Sequence, residues 1–115
     1  MKKILLILFF LPLISFGQKT YVPDVYFEYF LEECVFGYGY TDDDSVITSY
    51  CTNLSTLNFI PSSDCDGIFL SNGVTDLTGI EAFINLETLE LNVPNVTYLD
   101  LSNLTNLKDI HLENI

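Results

Sequence analysis

The side chains whose types could do chemistry are few: one histidine, His111, three cysteines at 34, 51 and 65, and sixteen carboxylates. Asp109, His111 and Glu113 alternate along one stretch, with Glu90 upstream. Asp109 with His111, or Glu90 with Glu113, would serve as an acid–base pair only across a substrate-sized cleft, since the carboxylates of a glycosidase stand roughly 5 to 10 Å apart. No serine or cysteine lies in a nucleophile-elbow or protease motif. The cysteines lack the close paired spacing of a zinc site, and His111 has no second ligand beside it. Neither a catalytic residue nor a metal or cofactor is therefore expected. Asp42, Asp43 and Asp44 offer oxygens to a hard cation. They lack the alternating spacing and distant bidentate glutamate of a helix-loop-helix calcium site, so a solvated acidic turn is the reading. Asp64 and Asp66 would join such a site only if the fold brought them near.

What must position these residues is a repeat. Leu86, Leu89 and Leu91 return 21 residues later as Leu107, Ile110 and Leu112, Asn85 returns as Asn106, and a degenerate copy stands at Cys65, Ile68 and Leu70. A unit of this length fits one short strand, a turn and a compact return, the coil of a leucine-rich-repeat solenoid. The expected fold class is thus an α+β repeat: a solenoid of 21-residue period with short parallel strands and an N-terminal helical cap. Residues between the leucines face solvent on each strand. Gly67, Phe69 and Ser71, then Thr88, Glu90 and Asn92, then Asp109, His111 and Glu113 are the candidate ligand-binding residues of a concave face. Phe69 would be the aromatic anchor. Asn53-Leu-Ser-Thr-Leu-Asn-Phe59 carries the same signature half a step early, as the return side of an incomplete first coil or as a capping strand.

Upstream, Phe27, Phe30, Leu31 and Cys34 recur at helical intervals, with Asp24 placed to cap the helix and Gly37 to end it. Lys2 and Lys3 before an apolar run from Ile4 to Ile14, then Ser15-Phe16-Gly17, read as a signal peptide over 1–17 cleaved between Gly17 and Gln18. The domain plan is that leader, an N-terminal cap with an irregular first coil over 18–63, and about two and a half repeats over 64–115. The last of these is incomplete, which implies a fragment of a longer protein or an edge open to self-association.

Export makes disulfides permissible, and three cysteines allow one bridge and one spare thiol. Cys34 with Cys51 is the preferred pair, because Cys65 stands where later repeats bury Leu86 and Leu107. Loss of Lys2 and Lys3 with the leader would take the formal charge from −12 to −14. With no arginine and only Lys19 and Lys108 left, nucleic acid is not an expected partner. Asp44-Ser45-Val46 has the form of an Asp-Ser-apolar O-glycosylation site, and Asn53, Asn95 and Asn103 begin short N-glycosylation sequons.

Thr20-Tyr-Val-Pro-Asp24, Phe27-Glu28 and Leu31, then Val74-Thr-Asp-Leu-Thr-Gly-Ile-Glu-Ala-Phe83 and Leu99-Asp-Leu-Ser102, resemble secreted leucine-rich-repeat proteins of the Bacteroidota. The likeness covers almost all of the chain beyond the leader. It implies a helical cap on a curved solenoid and a secreted or cell-surface location. The expected function is an exported, non-enzymatic binding module that meets a protein or glycan through its strand face, without stable membrane insertion. The alternative is a structural spacer or N-terminal part of a larger cell-surface protein, with any catalytic domain beyond Ile115.

Overall fold

The computed structural model of the chain describes residues 18–60, 65 and 67–113, so the expected signal peptide, Asp64 and Asp66 lie outside the described residues. Strand β1 (Lys19–Tyr21) pairs antiparallel with β2 (Ser45–Ile47), Thr20 opposite Val46. Between them Asp24 begins helix α1 (Val25–Tyr29). Its carboxylate accepts from the amides of Tyr26 and Phe27 at 3.0 and 3.1 Å, the capping that the sequence predicts. The helix widens into a π turn over Phe30–Val35. The chain then breaks away at Gly37, whose φ of 77° lies in the left-handed region that favours glycine. Helix α2 (Thr48–Thr52) follows β2 directly. Ser45 opens the paired strand, opposite Tyr21.

The second sheet is parallel, in the order β3 (Thr56–Phe59), β4 (Thr88–Asn92), β5 (Asp109–Glu113). Its register sets Leu57 beside Leu89 and Ile110 on one inward row, and Phe59 beside Leu91 and Leu112 on the next. Leu57, Leu89, Phe59 and Leu91 are fully buried. Phe30 stacks on Phe59 with ring centroids 3.8 Å apart, so the helical segment closes one end of this core. At the other end Ile110 and Leu112 remain 52% and 42% exposed. Asn85 and Asn106 donate their side-chain amides to the carbonyls of Thr52 and Ile84 at 2.8 and 3.1 Å, tying the turn before each strand to the preceding segment.

The expected solenoid is corrected by this arrangement. Among the described residues the chain forms a small α+β fold with one antiparallel and one parallel sheet, and the 21-residue step joins only one strand pair, Thr88 with Asp109. The stretch expected to be the first repeat strand lies instead in helix α3 (Gly67–Gly73). Leu70 and Ser71 are buried in this helix, and Val74 and Leu77 are buried just past its end; a short apolar run such as that around Ile68 fits a helical turn as well as a strand. Helix α3 packs on α1, and at Gly73 an added Cβ would lie 2.7 Å from the Tyr26 ring. With that segment helical, β3 pairs directly with β4 across an offset of 32 residues, Thr56 to Thr88.

The preferred cysteine pairing is also corrected. Cys34 bridges Cys65, their Cα atoms 5.9 Å apart, which fastens the approach to α3 onto the π turn. Cys51 is the free thiol, sealed in the core, where burial pushes its pKa up to about 12.

Candidate functional site

Strand alternation turns Thr56 and Asn58 of β3, and Thr88, Glu90 and Asn92 of β4, away from the buried leucines. The register places Asp109, His111 and Glu113 beside the β4 residues. The outward face therefore carries three cross-strand rows: Thr56–Thr88–Asp109, Asn58–Glu90–His111, and Asn92–Glu113. Strands in such a sheet stand about 4.8 Å apart, so each row presents hydroxyl, amide and carboxylate groups at close, regular spacing. His111 Nε2 lies 2.8 Å from Glu113 Oε1, and this partnership raises the imidazole pKa. Asn92 Nδ2 reaches Glu113 at 3.4 Å. An open depression at the starts of β4 and β5 is bordered by Thr88, Glu90, Lys108, Asp109 and His111. Such a surface can hydrogen-bond an extended ligand along the rows.

Six of the nine expected face residues are thus brought together, and three are not, Gly67 lying at the start of helix α3. Ser71 is fully buried in α3, and Phe69 falls in the same helix rather than on a strand. Thr56 and Asn58 were missed, although Asn53-Leu-x-x-Leu57-x-Phe59 copies Asn85-Leu-x-x-Leu89-x-Leu91. Only the unequal spacing hid β3 from the repeat.

A second cluster lies under the acidic loop. Glu28 and Glu32, one helical turn apart, are 0% and 1% exposed. Glu28 accepts from the backbone amides of Asp43 and Asp44, both at 3.1 Å, and Glu32 from the Thr41 amide at 2.9 Å. Asp43 meets Lys19 Nζ at 2.9 Å, and this bond, followed by that from Thr41, holds its carboxyl well below the usual range. Burial, reinforced by Glu32, lifts Glu28 to about 7. Oxygens of Glu28, Glu32 and Asp43 lie within 4.8 Å of one another, a spacing that a cation can bridge. Protein donors already meet these oxygens, and the one nearby ammonium sits on Asp43. Asp42, Asp43 and Asp44 are solvent-exposed, as expected of an acidic turn, but the turn is also bonded inward: Asp43 and Asp44 give their amides to a buried glutamate, and Asp42 accepts from the Tyr40 hydroxyl at 2.7 Å. The sequence signal for this cluster was the like-charged pair Glu28 and Glu32 at i, i+4, an unfavourable spacing on a free helix.

Compared with family models and with curated proteins, the chain matches none. Among the described residues no helix is long and apolar enough to cross a membrane.

Proposed function

We propose that this chain is an exported binding module that engages a protein or glycan across the outward face of the β3–β4–β5 sheet, without catalysis. The observation that supports this most directly is the register, which sets polar side chains of three strands in aligned rows, over an apolar layer that is fully buried beneath β3 and β4. Rigid strands fix the spacing of recognition groups better than loops do. The apolar residues leading into the chain support export. Asn58, Glu90 and His111 form the middle row, so their triple replacement by alanine removes the centre of the surface while leaving the inward leucines in place. Binding of the parent and the triple variant to a glycan array and to a panel of immobilised peptides tests the proposal. Ligands retained by the parent are expected to lose at least about tenfold in affinity with the variant, roughly 1.4 kcal/mol. Equal retention of every ligand would remove the face as the binding site.

A second reading, a structural role, is favoured by the half-exposed Ile110 and Leu112, which continue the two buried rows to the sheet edge. A second copy pairing along β5 would cover them. Sedimentation across a concentration series reads this out: association that is abolished by Ile110→Asp supports it, and a single monomeric species throughout excludes it.

A further inference from the structure

We propose that Glu28 and Glu32 form a proton-operated clasp: one proton shared between the two buried carboxyls holds the loop 38–45 on the helical segment, and loss of that proton loosens the loop and the strand pair β1–β2. The geometry carries this through Thr41. Its hydroxyl oxygen lies 3.3 Å from Glu28 Oε2, 3.0 and 2.8 Å from the two Glu32 oxygens, and 2.9 Å from Asp43 Oδ1. A hydroxyl has a single hydrogen to donate. It satisfies one of these oxygens and opposes the others with its own lone pairs unless a second proton resides in the cluster. Two carboxylates so placed and buried do not both ionise freely, since each disfavours the charge on the other.

The carboxylates around the pair sharpen the same demand. From the helical side, Glu33 accepts the Tyr40 amide at 3.0 Å. From the loop come Asp43, Asp42 paired to the Tyr40 hydroxyl, and Tyr38, whose hydroxyl accepts the Ile47 amide at 3.3 Å. From β1 comes Lys19, which is engaged by Asp43 rather than by either glutamate. Among the described residues, the pair and these three neighbours put five carboxylates around one ammonium. The loop also needs its anchors. Asp42 and Asp44 have φ values of 52° and 56°, a left-handed backbone that aspartate adopts in turns, and here the amides of Asp43 and Asp44 are fixed by Glu28. The Asp44 carbonyl accepts the Val22 amide at 2.9 Å, which ties the loop to the end of β1. Release of the Asp43 and Asp44 amides from Glu28 thus propagates to the first sheet.

The test is a pH titration of the disulfide-intact full chain, following the side-chain carboxyl carbons of Glu28 and Glu32 by NMR and the exchange protection of the Thr41, Asp43 and Asp44 amides. The expected result is uptake of one proton at the Glu28 carboxyl with a midpoint near 7. An opened loop returns Glu28 to its ordinary value while the closed loop holds it near neutrality, so linkage gives about a 30-fold rise in the opening constant between about pH 5.5 and about pH 8.5. Glu28→Gln, which keeps a donor toward Glu32 with no proton to lose, is expected to stay closed at both values. Ordinary acidic titration of both carboxyls overturns the proposal, as does amide protection that is equal at the two pH values. Millimolar calcium that moves the same resonances at the higher pH also overturns it, in favour of a cation site. If Glu28→Gln does not fold, the parent titration decides alone.

Discussion

At Gly79 the backbone has a φ of 109°, and an added Cβ would lie 2.6 Å from Val22 Cγ2 and 2.9 Å from the Tyr21 carbonyl oxygen. Val22 is fully buried and Tyr21 ends a paired strand, so neither has room to retreat. Gly79→Ala combines a left-handed alanine with this overlap and is expected to cost about 2–4 kcal/mol in urea unfolding. A loss below about 0.5 kcal/mol would mean that the turn adapts and that the close approach is not needed. Asp24 shows what residue-scale sequence reading reaches. Its capping role follows from its place before the helical spacing. Its second carboxylate oxygen accepts the amides of Thr75 and Asp76 at 2.9 and 3.1 Å, more than fifty residues downstream. No local pattern encodes that distant pair of donors. Glu28 is similar, because helical spacing alone assigns it to solvent, and only the loop that folds over it makes it buried.

Among the elements, the parallel sheet divides its apolar rows unequally. Leu89 is central and fully buried between Leu57 and Ile110, whereas Ile110 sits at the edge with half of its surface exposed. Leu89→Ala is therefore expected to destabilise by about 2–5 kcal/mol, and Ile110→Ala by less than about 1.5 kcal/mol. Chemical denaturation of both variants checks the contrast; equal losses would mean that β5 is covered in solution. The strands β4 and β5 were legible in the sequence because burial on one face imposes period two and the Asn-Leu-x-x-Leu-x-Leu signature keeps their step. Strand β3 carried the same signature, but its offset of 32 residues concealed its membership of the sheet. The stretch around Ile68 was misread because a short apolar run fits a strand and a helical turn equally well. What decided it was tertiary: the Cys34–Cys65 bridge and the approach of Gly73 to Tyr26. The outward face was legible to the same extent as its strands, which is why its β4 and β5 residues were found and those of β3 were not.

For the molecule as a whole, a formal charge of −12 on 115 residues makes self-repulsion part of its stability. Two groups set the direction of the pH response. Glu28 is raised in the folded chain from 4.5 to about 7, so its contribution is complete below its ordinary value and is lost as pH rises toward neutrality. Asp43 is lowered by Lys19 and Thr41, so its contribution is present above the ordinary carboxylate value and is lost only as pH falls below it. The two windows meet in acidic solution between the ordinary values of the two carboxyls, 3.8 and 4.5, where general repulsion is also reduced because the sequence isoelectric point is about 4.1. Stability is expected to peak there and to fall toward about pH 8, with Glu28 accounting for up to about 3 kcal/mol of the loss. Salt separates the local cause from the global one. Raising ionic strength toward 0.15 M shortens the Debye length to about 8 Å, which relieves repulsion between exposed carboxylates but acts weakly on the buried pair. Thermal unfolding at the higher pH should thus recover only part of the lost Tm on addition of salt, while Glu28→Gln recovers most of the remainder. Complete recovery by salt alone would assign the whole effect to surface charge and leave the buried carboxyls without a part in it.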